Sequence, residues 1–552
     1  MTRDIESPDG EESTTDEDGS TGRVDRRDYL RAIGGLGIGG LGTAGVGALT
    51  GTATAQTAFD ESAADERIRE TQTGPLTVEV VDENGDPVSG ASVDVEMTEH
   101  DFDWGTMVNA GTLLDRFGEG SDYRQYLQEL FNTAVLENIH KWAIWEGNIQ
   151  QADDAVDWLD EHGFRIRGHT CVYGVDYAIP NDVLTAAQNG DGQTVRDRTM
   201  AHLREIITHY GDQIQEWDVV NEAVHRGKLQ QGEYSGVDPE NPMSSQTKPW
   251  TTDLLADWYR EAESVIEANG LDVETATNDF NTMTWDQDEY YEQVQFLLDQ
   301  GIDLDAIGHQ THLGSSTNPS GQSWSYATID AVFERFAALD ANQRITEFDM
   351  AGDGWSGQQQ RAEAFRAFLK TAYGHPDVDQ FVMWGMWDET HWRDEAPFFD
   401  EDWSEKPALD VWRTLVLDEW WTDASETTAD DGTATVDAFL GEHDVRVETS
   451  DGTTVTETVA VTDSSAGARM TVTVDVPTTE GPNWVSEPAP TDPDGDGLYE
   501  DVSGDGDLNF PDVNRLFQTT ESTEVQDNAE YLDFDGDGDV DMQDVLALFE
   551  RV

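Results

Sequence analysis

The chain of 552 residues carries 115 acidic side chains against 31 basic ones, for a formal net charge of −84 and a pI near 4.1. A field of that sign repels nucleic acid and anionic membranes, which excludes both as partners. Hydrophobic residues make up 37% of the chain and 18 are Trp, enough for a large core and too many for global disorder. The length calls for one large domain with smaller attachments. Lysine is nearly absent, at positions 141, 228, 248, 370 and 406 only; the other basic residues are Arg. Together with the charge, this points to a folded surface adapted to concentrated salt. At about 1 M the screening length falls to about 3 Å, and neighbouring carboxylates barely repel. Cys171 is the sole cysteine, so no intrachain disulfide is possible.

In chain order, residues 1–56 read as an acidic tail and an export signal. Arg26-Arg27 and Tyr29-Leu30 precede a weakly apolar Gly/Ala/Leu run, and Ala53-Thr54-Ala55 supplies a small-residue cleavage site. The segment resembles a twin-arginine signal, which implies secretion in the folded state. The alternative, a membrane span, is opposed by its many glycines, and no membrane association is expected once the signal is removed. Residues 75–101 form a β-rich lead-in. The alternation of "LTVEVVDENGDPVSGASVDVEM" around Asn84-Gly85 and Ser89-Gly90 predicts a β-hairpin. From 102 to 421, eight short apolar runs alternate with helix-period segments: "DWGTMVNA", "FNTAVLEN", "FRIRGHTCVY", "IQEWDVVNEA", "VETATNDF", "LDAIGHQTHL", "RITEFDM" and "FVMWGMWDE". Helical stretches such as "WYREAESVIEANG" stop at Gly. The predicted fold class is α/β, a (β/α)8 TIM barrel with small accessory β modules. A doubly wound open sheet is the alternative, and it lacks its usual Gly-rich turn here. Residues 422–478 read as a small antiparallel β module and 479–491 as a Pro-rich linker.

Two of the eight runs end oddly. "IQEWDVVNEAV" finishes on Asn221-Glu222, and "RITEFDM" contains Glu347. A charge that interrupts a buried strand is costly unless it is used. At the C-terminal ends of barrel strands, polar residues are readily catalytic. Two carboxylates from the fourth and seventh strands could flank one acetal bond, one protonated and one ionised, as glycoside cleavage requires. The motifs "WDVVNEAV", "GHQTHL", "ITEFDM" and "WGMWDETHW", with "LENIHKW" and "RGHT" upstream, resemble the endo-β-1,4-xylanases of glycoside hydrolase family 10 in this order. The resemblance covers residues 78–412, and the acidic composition is similar to that of haloarchaeal secreted proteins. It implies a retaining endo-hydrolase of xylan that needs no cofactor for catalysis. Glu222 would be the acid/base and Glu347 the nucleophile, with carboxyl groups about 5–5.5 Å apart. Asn221 would hold the sugar 2-hydroxyl, and His312 would tune Glu347 with Gln310 nearby and Asp349 behind. Glu137, Asn138 and Lys141 match the non-reducing-side sugar pocket, and His169 the ring at the cleaved bond. Tyr173, Trp384 and Trp392 would supply sugar-facing rings. Two departures leave the sugar preference open. Tyr173 and Gly174 stand where the family carries Trp and His, and Trp387 stands where it tends to have a small residue; both are expected to reshape the cleft floor. A hydrolase of another β-1,4-glycan, such as cellulose or mixed-linkage glucan, and a non-catalytic cell-surface carbohydrate-binding protein remain as alternatives.

Residues 492–552 differ in kind. Asp501, Ser503, Asp505, Asp507 and Asp512 recur 32 residues later as Asp533, Asp535, Asp537, Asp539 and Asp544, with Gly506 and Gly538 at the sixth places. This is the spacing of a calcium loop, with ligands at 1, 3, 5, 7 and 12 and Gly at 6. Asp492, Asp494 and Asp496 could add a further site. Each loop precedes a short amphipathic helix, and the pair resembles a dockerin. It implies a helical Ca2+-binding module and a cohesin-like or cell-surface partner for it. The protein is expected to be a monomer otherwise.

Overall fold

The computed structural model describes residues 59–552 apart from 314–325, 351–354, 394, 476–483, 487, 494 and 496. The export signal, Asp494, Asp496 and part of the Pro-rich linker lie outside the described residues. The described chain opens with a helix, Glu61–Gln72, followed by strands β1 (Thr73–Val81) and β2 (Ser92–His100).

Eight parallel strands then close into a barrel: β3 (Asp103–Val108), β4 (Thr133–Leu136), β5 (Arg165–Gly168), β7 (Glu216–Asn221), β8 (Glu274–Phe280), β9 (Ala306–Gln310), β11 (Asn342–Met350) and β12 (Val378–Met383). Two-residue strands β6 (Val172–Tyr173) and β10 (His312–Leu313) extend the rim beside β7 and β11. The barrel closes where β12 pairs with β3, Phe381 opposite Trp104. Helices cover the outside. The helix Asp253–Asn269 is representative: Thr252 caps Leu255 N–H at 3.3 Å, and Gly270 stops it at φ +65°. Among the described residues no helix is long and apolar enough to cross a membrane.

The barrel interior is not wholly apolar. Glu216 and Asp218, two apart on β7, are both fully buried. Arg167 Nε donates to Glu216 at 3.0 Å and its other arm binds Asp218, while Arg344 lies 3.0 Å from Glu216. Burial alone would raise the Glu216 carboxyl, but the two guanidiniums bring it down to about 2. Removing one partner from such a set would leave an uncompensated buried charge. Above this layer, Gly168 lets the Trp217 ring lie against the backbone; a Cβ there would sit 2.3 Å from the indole. Outside the barrel, Trp104 packs against Trp412 and Trp420, so the first strand is held by the last segment of the barrel domain.

The predicted hairpin in the lead-in does not form. β1 and β2 join different sheets, and each takes partners from the far end of the domain. With β13 (Asp423–Thr427), β14 (Thr433–Phe439), β15 (Gly441–Glu448), β16 (Thr454–Val461) and β17 (Ala468–Thr473), they build a two-sheet sandwich ordered β14-β1-β17 and β13-β2-β15-β16. The lead-in and the 422–478 segment are thus halves of one unit. The alternating pattern identified strands but carried no information about their partners. Leu76, Val78 and Val80 of β1 face Val93 and Val95 of β2 across an apolar layer completed by Ala434, Val445, Val447 and Val472. The unit is tied to the barrel by the helix Glu61–Gln72: Gln72 donates to the Tyr373 carbonyl at 2.8 Å, and Lys370 reaches Glu61 and Asp65 at 2.8 and 2.6 Å. The C-terminal residues 498–552 have a small core of their own around Val502, Leu516, Leu532 and Leu548.

A chain cut after residue 421 loses five of the seven sandwich strands and bares Leu76, Val78, Val93 and Val95. It is expected to be recovered as aggregate under conditions that keep the full chain soluble. A soluble product with unchanged thermal unfolding would show that the two segments do not depend on each other.

Candidate active site

Each residue of the site stands at or just past a barrel strand's C-terminal end, where the ladder stops and side chains turn toward the mouth. Glu222 follows β7 with φ +56°, outside the strand region, and its N–H donates to the Asn278 carbonyl at 2.7 Å. Glu347 lies within β11, the seventh barrel strand counted from β3. Asn278 of β8 joins the two, for its side chain donates to Glu347 Oε1 at 2.8 Å and to Asn221 Oδ1 at 3.1 Å. Gln310 also donates to Asn221 Oδ1, at 3.0 Å, which leaves the Asn221 NH2 as the donor aimed at a ligand. Thr346 Oγ1 donates to Asn278 Oδ1 at 2.6 Å and fixes that amide. Sequence reading missed Asn278. It sits in "ATNDF", where an amide in a strand looks like an ordinary polar residue, and only pairing with β7 brings it between the carboxylates.

The two carboxylates sit in unlike surroundings. His312 lies between Glu347 Oε2 at 3.2 Å and Asp349 Oδ2 at 2.8 Å. Asp349 is in turn held by Trp392 Nε1 at 2.8 Å and Arg393 Nη1 at 3.0 Å. Burial disfavours the His312 cation, but the flanking Asp349 and Glu347 raise it to about 9. Burial likewise works against the Glu347 charge, yet the hydrogen bond from His312, with Asn278 helping, keeps its carboxyl below the usual range. Glu222 is pushed up by burial; Arg226 opposes this, while Asp279 and Glu347 add to it. One carboxyl is therefore set to stay ionised and the other to hold a proton.

The remaining predicted residues surround this pair. His169 Nδ1 meets Asp218 Oδ2 at 2.7 Å, and burial holds the imidazole well below its usual range, hence neutral. Lys141, almost buried, donates to Asn138 Oδ1 at 2.8 Å and lies 5.7 Å from the Tyr173 ring and 5.6 Å from the Tyr177 ring. Glu137 accepts from Asn109 at 3.0 Å. Tyr177, 56% exposed, is a ring the sequence reading did not select. Trp384 is edge-on to His169, with centroids 5.5 Å apart; Trp392 is half exposed beside His312. Trp387 takes a core position. It is buried and stacks on Trp403 at 4.6 Å, capped by Arg116 at 4.8 Å. An indole finds enough apolar surface there that it has no reason to turn inward.

Behind Glu222, His225 bridges Asp279 at 2.6 Å and Asp286 at 3.1 Å and stacks on Phe280 with centroids 3.8 Å apart. Burial opposes its charge, but the two aspartates raise it to about 10. Asp279 also accepts from Val224 N–H at 2.9 Å, so the loop that carries Glu222 is pinned at two places. "AVHRG" offered a signal in its His, but its partners lie more than 50 residues away.

The tail residues also assemble as two like loops. In the first, Asp501 accepts from Asp505 and Gly506 N–H at 3.0 and 2.8 Å, and Asp512 from Ser503 and Asn509 N–H at 2.7 Å each. In the second, Asp533 accepts from Asp537 and Gly538 N–H at 3.2 and 2.8 Å, and Asp544 from Asp535 and Asp541 N–H at 3.2 and 2.7 Å. Gly506 and Gly538 take φ +93° and +95°, a conformation costly for other residues. Carboxylate oxygens of Asp533, Asp535 and Asp537 lie within 4.8 Å of one another. Asp507 and Asp539 hold the seventh positions; the Asp507 carbonyl accepts from Asn509 Nδ2 at 2.8 Å.

Three relatives bear comparison. The chain is 24% identical over 387 residues to the anti-sigma-I factor RsgI6 of Acetivibrio thermocellus, covering 69% of this chain and 46% of that protein. It is 27% identical over 317 residues to the thermostable celloxylanase of Thermoclostridium stercorarium, covering 50% of this chain and 77% of that one. It is 26% identical over 372 residues to endo-1,4-beta-xylanase A of Halalkalibacterium halodurans, covering 58% and 85%. The chain thus spans less than half the length of the first relative and most of the other two. The family description "Glycosyl hydrolase family 10" matches residues 95–414, the whole barrel with its strand-end carboxylates, and the chain belongs to that family.

Proposed function

We propose that the protein is a secreted, salt-adapted retaining endo-1,4-β-xylanase. The observation that carries this reading is the pair Glu222 and Glu347, linked through Asn278 and held in opposite protonation tendencies. Glu347 would attack the anomeric carbon while protonated Glu222 gives its proton to the departing oxygen. The resulting covalent glycosyl-enzyme would be hydrolysed by water that Glu222, now a base, deprotonates. Forming the ester consumes the Glu347 charge and with it the repulsion that favours the Glu222 proton, so the acid becomes a competent base. Asn221 would donate to the sugar 2-hydroxyl, and neutral His169 to the same ring. Glu137, Asn138 and Lys141 would bind the sugar next along, with Tyr173 and Tyr177 beside it. The names of two relatives, a celloxylanase and a xylanase, support xylan as substrate.

Secretion through the twin-arginine route and adaptation to salt rest on the composition. Four of the five lysines fit this picture: Lys370 and Lys406 are buried and ion-paired, and Lys228 and Lys248 pair with Asp176 and Glu292. Lys141 is held instead by the Asn138 side chain in the sugar pocket. The C-terminal module would bind Ca2+ in both loops, with Asp501, Ser503, Asp505, Asp507 and Asp512 in one and Asp533, Asp535, Asp537, Asp539 and Asp544 in the other. The convergent carboxylates of Asp533, Asp535 and Asp537 fit a hard cation with oxygen ligands. Half-exposed Phe517, Leu546 and Phe549 on the two following helices suit a cohesin-like or cell-surface partner.

In molar salt, a time course on arabinoxylan should release short oligosaccharides from internal cleavage, with the β-anomer formed first. Carboxymethylcellulose as the better substrate would favour the glucanase reading instead. Glu347→Gln should lower kcat by at least about 10³-fold while oligosaccharide binding persists; wild-type chain that binds xylan but turns over none would favour the binding-protein reading. His312→Ala removes the group that keeps Glu347 ionised. The acidic limb of kcat/KM against pH should move to higher pH, with a loss of about 10- to 100-fold at neutrality. Chelation of Ca2+ should lower the unfolding transition of the C-terminal module and leave that of the barrel in place.

A further inference from the structure

Among the described residues, Arg226 is the cation placed against the Glu222 carboxylate, and the mechanism above gives it no task. Its Nε lies 2.9 Å from Glu222 Oε2, yet the N–H is not directed along that line, and neither atom has a true hydrogen-bond partner. The Tyr173 hydroxyl engages both Glu222 and Arg226. The guanidinium lies over the Phe280 ring, 5.5 Å from its centre, and its side chain is 37% exposed. Of its terminal nitrogens, Nη1 has only a long contact of 3.4 Å to the His225 carbonyl. Gly174 makes the arrangement possible, because a Cβ there would stand 3.0 Å from Arg226 Cβ and 3.1 Å from its carbonyl oxygen.

The position of this fork around the mouth matters. Glu137, Asn138 and Lys141 follow β4, on one side of Glu222. Arg226 follows β7; it meets Tyr173 on the Lys141 side and covers the Phe280 ring of β8 on the side away from it. In the xylanase reading the first group binds sugars on the glycone side of the scissile bond, which leaves the β8 side, where Arg226 covers Phe280, for the leaving group. A planar guanidinium with one edge open and one edge misaligned on a carboxylate is suited to bind a second carboxylate in two-point fashion.

We propose that Arg226 reads an acidic substituent on the substrate: a carboxylate carried by a sugar on the leaving-group side, as in xylan with uronic acid side groups, takes the guanidinium over from Glu222. The exchange matches charge with charge, and no bond is made or broken. It draws away from Glu222 the cation that faces it among the described residues, so the acid is freed to hold its proton as the leaving oxygen arrives. The other groups facing Glu222 are Tyr173, Asp279 from β8 and Glu347 from β11, and none of them supplies a positive charge. This inference rests on the xylanase reading above.

The test compares xylan bearing uronic acid groups with the same polymer after chemical reduction of its carboxyls, and with linear xylo-oligosaccharides, in molar salt. The wild-type enzyme should show kcat/KM at least about tenfold higher on the acidic polymer than on the reduced one. In Arg226→Met that ratio should fall to about one; Arg226→Lys, which keeps the charge but not the fork, should lie between. Arg226→Gln serves if the Met variant does not fold, and thermal unfolding checks both. On the reduced polymer, the basic limb of kcat/KM should move to higher pH in Arg226→Met and Arg226→Gln, since a cation that opposed protonation of Glu222 is gone; a purely structural role would not move it. A wild-type ratio near one, or equal losses on both polymers in the variants, overturns the proposal while leaving the xylanase reading intact. Failure of the wild type on all three substrates overturns both.

Discussion

The site depends on the clamp of one histidine between two carboxylates. His312 is held by Asp349 on one side and Glu347 on the other, and the charge it carries there keeps Glu347 ionised although burial acts against it. Without that cation, two buried carboxyls facing one cleft would compete for a single proton with little to distinguish them. With it, the asymmetry is built in before any sugar arrives. Trp392 and Arg393 secure Asp349 from outside, so the cation is fixed by neighbours that do not themselves face Glu347.

The closed barrel makes such precision affordable. Polar residues descend from the mouth in layers: Glu222, Asn221 and Glu347 at the top, then His169 with Asp218 and Arg167, then Glu216 with Arg344 and Gln380. Ion pairs and hydrogen bonds within each layer hold its charges in place. His169, for example, is aimed by Asp218, which is in turn held by Arg167. A chain with few cations places several of them inside this column. Exposed carboxylates need no partners where salt screens them, whereas buried ones always do.

The β-sandwich shows a different economy. Its two sheets are assembled from strands separated by the entire barrel, so folding it requires the barrel to bring residues 73–100 and 423–473 together. That arrangement ties the chain on both sides of the catalytic domain and explains why Trp412 and Trp420 pack against Trp104 at the same seam. The C-terminal module, by contrast, has local contacts and its own core.

The sequence by itself determined the eight barrel strands, because short apolar runs, Gly-terminated helices and their alternation are local properties. It also singled out Glu222 and Glu347, because a charge inside a buried run is a local anomaly. The two tail loops were legible for the same reason, each being a contiguous, regular spacing of acidic residues and glycine. Tertiary structure alone decided what those residues touch. Asn278 lies between the carboxylates only because β8 pairs with β7, and His225 is charged only because Asp279 and Asp286 converge on it. Trp387 turned from the cleft to Trp403, and β1 and β2 parted into separate sheets, since neither choice is encoded within a few residues of either. Hydrogen bonds, ion pairs and ring stacking act over a few ångströms of space, and a chain brings distant residues within that range only by closing its fold.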